Sequence, residues 1–225
     1  PEFNKEKLLP PTKEISNIDY FKNFVDFYKE NKEGKPFFFW YGANEPHRRY
    51  AEGSGRRAGK NIMQADVPAF LPDDSVVRSD ISDYALEIEW FDAQLGKMID
   101  FLRQQGELDN TLIVVTSDNG MPFPSAKANL MEYGSHVPLA ICWPEKIKRT
   151  GISNELVSLI DLAPTFLEAA GVKEPPAMTG KSLADILFQN DRSSGAPVQR
   201  TEVLTGRERH SHARPDDLGY PSRAI

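Results

Sequence analysis

Apolar residues near the start of the chain follow the period of a helix and then run without interruption. Between Ile18 and Tyr28, apolar residues at positions 18, 21, 24, 25 and 28 have this spacing, which predicts an amphipathic helix. The apolar run at 36–41, Pro-Phe-Phe-Phe-Trp-Tyr, predicts a buried strand. The segment 47–60 is rich in Gly and Arg and has no period, so we expect a loop there.

The middle of the chain carries the strongest helical pattern. From Asp80 one apolar face continues to a stop at Gly106, and strands are then predicted at 111–116 and 137–143. A short helix is expected over 161–170. This alternation of helices and strands predicts an α/β fold, with a largely parallel sheet covered by helices on both faces.

Length and composition indicate a globular chain. With 225 residues and 40% hydrophobic content, it can bury one good-sized core and a small second unit. Pro175-Pro176 predicts a linker, which divides the chain into 1–174 and 175–225. The start at Pro1 and the lack of a signal peptide suggest a fragment. No apolar run approaches the ~20 residues of a transmembrane helix, so no membrane contact is expected.

The charge distribution limits the partners. A net charge of -6 argues against general nucleic-acid binding. Two local basic clusters could bind a small anionic substrate, or each could be a solvated face. The clusters are His47, Arg48, Arg49, Arg56, Arg57 and Lys60, and Arg207, Arg209, His210, His212 and Arg214.

The most informative polar residues follow the strand predicted at 111–116. Asp118 and Asn119 stand at its carboxyl end, where α/β sheets meet their ligands, and their two oxygens form half of a hard-metal site. The loop 121–127 contains two prolines that stiffen it, and it brings one cation, Lys127, back toward Asp118 and Asn119. An ordinary Asn-Gly turn is the alternative interpretation.

Five sequence blocks occur together in a fixed order. They are Phe37-Phe-Phe-Trp-Tyr-Gly-Ala-Asn-Glu-Pro-His-Arg-Arg-Tyr50, Asp83-Tyr84 with Glu87-Ile88-Glu89, Ser117-Asp-Asn-Gly120, Val137-Pro-Leu139 and Ser158-Leu-Ile-Asp-Leu-Ala-Pro-Thr165. In this order they resemble type I sulfatases of the alkaline phosphatase superfamily, and the segments 121–127 and 205–210 are most similar to the branch of N-sulfoglucosamine sulfohydrolases. The resemblance implies an alkaline-phosphatase-like α/β sandwich. Residues 1–174 would be the C-terminal part of the catalytic domain, and 175–225 a linker and the beginning of a small α+β subdomain.

The resemblance also implies roles for four side chains. Asp118 and Asn119 would be two ligands of one calcium ion, whose other protein ligands are an Asp pair near the native N-terminus. Lys127 would lie over the sulfuryl group, and His47 would contact the sulfate or protonate the leaving heteroatom. A surface histidine and a solvated lysine are the alternatives.

The family's nucleophile is a Cys, converted to formylglycine, within Cys-x-Pro-x-Arg. Cys142-Trp-Pro-Glu-Lys146 does not correspond to it, because Lys replaces the Arg and this Cys follows the Asp118-Asn119 pair instead of preceding it. We expect Cys142, the single cysteine, to be a buried structural residue. The chain alone is therefore expected to be inactive.

The other histidines have weaker interpretations. His136 is expected to cap or pack at the entrance to a strand. His210 and His212 would share one face of a strand, which suits either substrate hydroxyls or an incidental metal. Arg209 and Arg214 would bind a sugar carboxylate or sulfate, with a surface ion pair as the alternative.

The expected function of the complete protein is hydrolysis of a sulfated sugar of the heparan type, at an N-sulfate first and an O-sulfate second. One rival is a superfamily phosphodiesterase or phosphatase, which would need more metal-binding histidines than the two present between 36 and 190, His47 and His136. The second rival is a sugar-binding domain without a nucleophile, and an upstream Cys or Ser followed by x-Pro-x-Arg would decide against it. Family members are usually exported, which implies a periplasmic or secreted location.

Overall fold

The computed structural model describes residues 2–31, 34–188, 200–207 and 221–225. These residues form two compact units, Pro1–Leu108 and Asp109–Ile225. The first contains α1 (Tyr20–Glu30), α2 (Ser54–Arg57), a 3₁₀ turn (Ile62–Gln64) and α3 (Ser75–Gln105). The second contains β1 (Ile113–Thr116), α4 (Glu132–Ser135), β2 (Leu139–Cys142), a 3₁₀ turn (Leu159–Asp161), α5 (Leu162–Ala169), α6 (Ala184–Leu187), β3 (Thr205–Arg207) and β4 (Ser222–Ala224).

The longest helix, α3, confirms the predicted helix and begins earlier. The carboxylate of Asp74 accepts hydrogen bonds from the backbone N–H groups of Val76 (2.9 Å) and Val77 (3.0 Å). The first N–H groups of a helix have no partner inside the helix, and Asp74 satisfies two of them. Helix α3 therefore starts before the predicted Asp80. It ends at Gly106, as predicted, where φ is +75°.

The core of the first unit lies between α1 and α3. Tyr20 and Phe24 of α1 meet Met98 and Leu102 of α3, and all four side chains are buried. These contacts confirm the apolar faces that the helical period predicted for both helices. No helix in the described ranges is both long enough and apolar enough to cross a bilayer.

Part of the segment 36–41 packs on this core, but the segment forms no strand among the described residues. Phe37 and Phe39 pack against the core, whereas Phe38 and Trp40 are 68% and 77% exposed. The prediction of a buried strand is therefore wrong for this structure. A strand needs a neighbouring chain for its backbone hydrogen bonds, and an apolar run alone does not supply one.

The strands pair in the antiparallel sense. β1 pairs with β2, with Ile113 opposite Cys142, and β3 pairs with β4. The α/β class is confirmed, but the predicted parallel arrangement is wrong for the strands that the structure describes. The connection explains this: the backbone N–H of Gly120 donates to the carbonyl of Gly134 (3.1 Å), so the chain folds back and enters β2 at the end where it left β1.

Asp161 connects the parts of the second unit on either side of Pro175-Pro176. Its buried carboxylate accepts from the backbone N–H groups of Ser158 and Lys181, both at 2.8 Å, and from the guanidinium of Arg200. Burial by itself favours the neutral acid, but Arg200 and the two N–H donors outweigh it and lower the pKa of Asp161. The segment after the two prolines thus packs on the region of α5. The predicted domain division at 174/175 stays a prediction.

Candidate functional site

The loop 117–136, which includes α4, leads from β1 toward β2, and it carries the predicted Asp118, Asn119 and Lys127. The loop closes on itself, because the backbone N–H of Lys127 donates to the carbonyl of Met121 (3.0 Å). The backbone of Lys127 therefore returns to the residues that follow Asn119. This return was predicted from the two prolines of the loop.

Two glycines of this loop occupy places where no side chain fits. A Cβ atom at Gly120 would lie 1.8 Å from the carbonyl oxygen of Tyr133, and one at Gly134 would lie 2.4 Å from that of Asn129. Phe123, also in the loop, is buried. The Asn-Gly step therefore belongs to a tightly packed loop and is not an ordinary exposed turn.

Asp118 and Asn119 present oxygen atoms that no described residue binds. The Asp118 side chain is exposed and makes no hydrogen bond or ion pair within the described ranges. The Nδ2 of Asn119 donates to the carbonyl of Gly120 (3.0 Å), which leaves its Oδ1 without a donor there. These two oxygens suit a hard cation, but calcium takes about six to eight. The described residues contain no group of three or more His, Cys, Asp or Glu side chains that could hold a metal ion by themselves.

Two cations accompany the closing part of the loop. The Lys127 side chain is half-buried and forms no ion pair with a described residue. Arg207, on β3, donates from Nη1 to the carbonyl of Ala128, while its Nε is buried without a partner in the described chain. The sequence indicated Arg207 only as a member of a basic cluster. Its contact with the loop depends on tertiary packing, which no local pattern reports.

His47 belongs to the first unit and lies on an exposed loop. The peptide bonds Glu45–Pro46 and Arg48–Arg49 on either side of it are cis. The Nδ1 atom of His47 is 2.6 Å from the carbonyl oxygen of Arg48. Because a carbonyl oxygen only accepts, Nδ1 carries a proton, and Nε2 is the atom left to exchange protons with a ligand.

Arg48 connects this loop to α3. Its Nη1 is 3.0 Å from Oδ1 of Asp80, and this hydrogen bond raises the pKa of Arg48. The guanidinium carbon also lies 4.7 Å from the centre of the Tyr50 ring, and the Tyr50 hydroxyl donates to the carbonyl of Pro46 (2.9 Å). The first basic cluster is thus in part a structural network that fixes the His47 loop, and Asp80 is a member that the sequence did not indicate.

The remaining histidines and arginines have different outcomes. His136 follows α4, and its backbone N–H donates to the carbonyl of Glu132 (2.9 Å), which confirms the predicted capping position. The predicted substrate-binding residues Arg209, His210, His212 and Arg214 lie outside the described residues.

Cys142 ends β2 and is exposed. The prediction of a buried cysteine is therefore wrong. The reason is the alternation of the strand: Leu139 and Ile141 are partly covered, whereas Ala140 and Cys142 project to the other, open face.

Comparison with known proteins relates this arrangement to one family. The sulfatase family model matches residues 2–172. Human N-sulphoglucosamine sulphohydrolase is 31% identical over 240 residues, which cover 93% of this chain and 46% of the human protein. The N-acetylglucosamine-6-O-sulfatase of Bacteroides thetaiotaomicron is 37% identical over 109 residues, which cover 47% of this chain and 20% of that protein.

The fold is shared with solved structures. A Bacteroides thetaiotaomicron structure named for the metabolism of multiple glycosaminoglycans superposes with a TM-score of 0.71 at 20% identity, covering 90% of this chain and 46% of that one. The chain thus spans less than half the length of these relatives. Because the family model matches most of its length, from residue 2 to residue 172, the chain belongs to the sulfatase family.

Proposed function

We propose that the complete protein hydrolyses sulfuric ester or sulfamate groups on sugars and favours a heparan-type N-sulfoglucosamine. The main support is the packed loop 117–136, which holds Asp118, Asn119 and Lys127 with two oxygens and one ammonium group unpaired in the described chain. Family membership supports the reaction class, and the human relative is named an N-sulphoglucosamine sulphohydrolase.

Lys127 is assigned to the sulfuryl group and His47 to the leaving group. The Lys127 ammonium donates to the sulfuryl oxygens, where negative charge has to be stabilised in the transition state. The protonated His47 ring donates from Nε2 to the amine nitrogen or alkoxide oxygen as the S–N or S–O bond breaks. The bond from Nδ1 of His47 to the Arg48 carbonyl fixes the orientation of the ring for this transfer.

Asp118 and Asn119 are assigned to one calcium ion. The fit is one of chemistry and place: two neighbouring oxygen donors at the end of β1, without partners in the described chain. The remaining ligands would come from another segment of the complete protein. When bound, the ion would balance the negative charge of the sulfate oxygens.

The sugar is assigned to the segment after β3. His210 and His212 would bind its hydroxyls, and Arg209 a carboxylate or a second sulfate. These assignments follow from the spacing in the sequence alone.

The covalent step is assigned to a residue outside these 225, because Cys142 is followed by Trp-Pro-Glu-Lys and no Cys-x-Pro-x-Arg occurs. The chain alone is therefore expected to release no sulfate. We also propose a periplasmic or secreted location, which the family resemblance implies.

The test is product release by the full-length protein that contains this chain. N-sulfoglucosamine, glucosamine 6-O-sulfate and a phosphomonoester are compared under identical conditions. Fastest sulfate release from N-sulfoglucosamine supports the proposal, and a preference for the 6-O-sulfate would make the protein an O-sulfatase. Faster phosphate release would favour the phosphatase, and sugar binding without any turnover would favour the binding domain.

A further inference from the structure

The turn that carries His47 is connected to the start of α1 by a continuous series of hydrogen bonds. The Tyr20 hydroxyl donates to Oε2 of Glu45 (2.9 Å) and accepts from the backbone N–H of Asn44 (3.1 Å). The other carboxylate oxygen of Glu45, Oε1, accepts from the backbone N–H of Ser16 (2.6 Å). The carbonyl of Asn44 in turn accepts from the backbone N–H of His47 (3.0 Å).

The two side chains in this series are inaccessible, although the residue that they support is exposed. Tyr20 and Glu45 are 6% and 4% exposed, while His47 is open to solvent. Burial raises the pKa of Tyr20, so its hydroxyl keeps the proton that it donates. A hydroxyl–carboxylate bond is directional, and when it is buried the loss of either partner leaves the other unsatisfied.

We propose that Tyr20 and Glu45 are positioning residues for His47, and that they hold the 44–47 turn so that Nε2 of His47 reaches the leaving group. This inference rests on the proposed role of His47 as general acid. Neither Tyr20 nor Glu45 is assigned a contact with substrate. Their effect is geometric, since a displacement of a catalytic group by about 1 Å can cost about 100-fold in rate.

A positioning role has a consequence that a general structural role lacks. A sugar amine or alkoxide must be protonated as it leaves, whereas 4-nitrophenolate leaves readily without a proton. Displacement of Nε2 of His47 should therefore slow sugar substrates much more than 4-nitrophenyl sulfate. Partial unfolding, or damage to the sulfuryl-binding groups, would slow both substrates alike.

The experiment measures kcat and KM of the full-length protein with Tyr20→Phe, with Glu45→Gln, with both changes, and with His47→Ala. We expect Tyr20→Phe to lower kcat on N-sulfoglucosamine about 10- to 100-fold, with KM nearly unchanged, and to lower kcat on 4-nitrophenyl sulfate by less than about 3-fold. Glu45→Gln keeps the shape of the side chain and should give the same pattern. The double variant should lose little more than the worse single one, since both changes break the same link.

Tyr28→Phe is the matched control. Tyr28 lies on the same helix, and its hydroxyl also bonds to a carboxylate, that of Glu107. It is about 12 Å along the helix from Tyr20 and has no part in the 44–47 turn. This variant should keep both rates. Thermal unfolding midpoints of all variants show whether Tyr20→Phe still folds. If Tyr20→Phe does not fold, the rates of Glu45→Gln decide the test.

The outcomes separate the two proposals. If His47→Ala discriminates between the substrates and both Tyr20→Phe and Glu45→Gln do not, the positioning role is wrong and the general-acid role stands. If His47→Ala slows both substrates equally, the general-acid role fails and the positioning role fails with it. If Tyr28→Phe reproduces the effect of Tyr20→Phe, the cause is the packing of α1, and the positioning role is wrong.

Discussion

Glu87 is a buried carboxyl group on α3, and the described part of the chain offers it no hydrogen-bond donor. Its side chain is 2% exposed, and Oε1 has no partner among the described residues. Burial is the largest cause that raises the pKa of Glu87, to about 8, and the charges of Glu45, Glu14 and Asp83 act in the same direction. Glu87 is therefore expected to be protonated in the folded protein at neutral pH.

The perturbation is Glu87→Gln, which removes the titration and keeps the shape. A carboxyl with a pKa of 4.5 when unfolded and about 8 when folded holds a proton in the folded state that the unfolded chain releases between those pH values. The stability from this difference is fully present below pH 4.5 and is lost as the pH rises to about 8. The slope is about 1.4 kcal/mol per pH unit, so the total over the window is about 5 kcal/mol. The variant should lack this slope.

The assay is urea unfolding of the full-length protein, followed by tryptophan fluorescence, at several pH values across that window. The free energy of unfolding of the variant minus that of the wild type should rise steadily with pH. Glu89→Gln is the control, because Glu89 lies on the same helix but is 64% exposed, and loss of its surface pair with Lys60 should cost only about 0–1 kcal/mol. Parallel curves for wild type and Glu87→Gln would falsify the assignment of a buried neutral acid.

Four further outcomes are expected. In the complete protein, Lys127→Ala and His47→Ala should each lower kcat on N-sulfoglucosamine by roughly 10²-fold or more in steady-state assays, and near-normal rates on this sugar would contradict the assigned roles. Gly120→Ala should abolish activity, because the added Cβ would lie 1.8 Å from the carbonyl oxygen of Tyr133. Gly96→Ala is the control and should keep activity, because a Cβ there would meet no atom within 4 Å beyond the backbone of its own helix. The 225-residue chain alone should bind calcium weakly by calorimetry, since its Asp-Asn pair supplies only two of about six to eight ligands, and tight binding would refute this division. His210→Ala should lower kcat/KM for the sugar and spare an aryl sulfate, and equal loss on both would place His210 at the sulfate.

The helices could be predicted from the sequence because an apolar stripe is a local property. The spacing from Ile18 to Tyr28 and the long apolar face that ends at Gly106 both became helices. Direction of strand pairing is not local. β1 and β2 are antiparallel because the loop between them folds back, and the apolar run 36–41 stays unpaired in the described chain because an apolar composition specifies burial without specifying a neighbouring strand.

In the candidate site, too, features set by adjacent sequence could be predicted and contacts between distant residues could not. The position of Asp118 and Asn119 at a strand end and the return of Lys127 could be predicted, since both follow from adjacent sequence. The distant residues that hold the loops of the site in place could not be predicted from the sequence. Tyr20 bonds to Glu45, which lies 25 residues further along the chain, and Arg207 contacts the loop from a distant strand.

Several contacts that could not be predicted from the sequence are made by buried carboxylates. In a chain of net charge -6, acidic residues suggest a solvated surface, yet three of them are buried and accept backbone N–H groups from other segments. Glu45 binds Ser16 N–H, and Asp83 binds the N–H groups of Gly53 and Gly55, both at 2.7 Å. Asp161 joins the segments of the second unit. Such residues hold loops in place, and substitution by an apolar residue would leave those N–H groups unsatisfied.

Asp161 and Glu87 show how the surroundings, more than burial alone, decide the charge of such a group. Asp161 receives N–H donors and a guanidinium, so its pKa is lowered, and its contribution to stability is present above pH 3.8 and lost as the pH falls below it. Glu87 receives neither from the described residues and lies near other carboxylates, so its contribution is lost as the pH rises from 4.5 toward 8. Acid should therefore remove the contribution of Asp161 and alkali that of Glu87, so the two groups give the free energy of unfolding pH dependences of opposite sign.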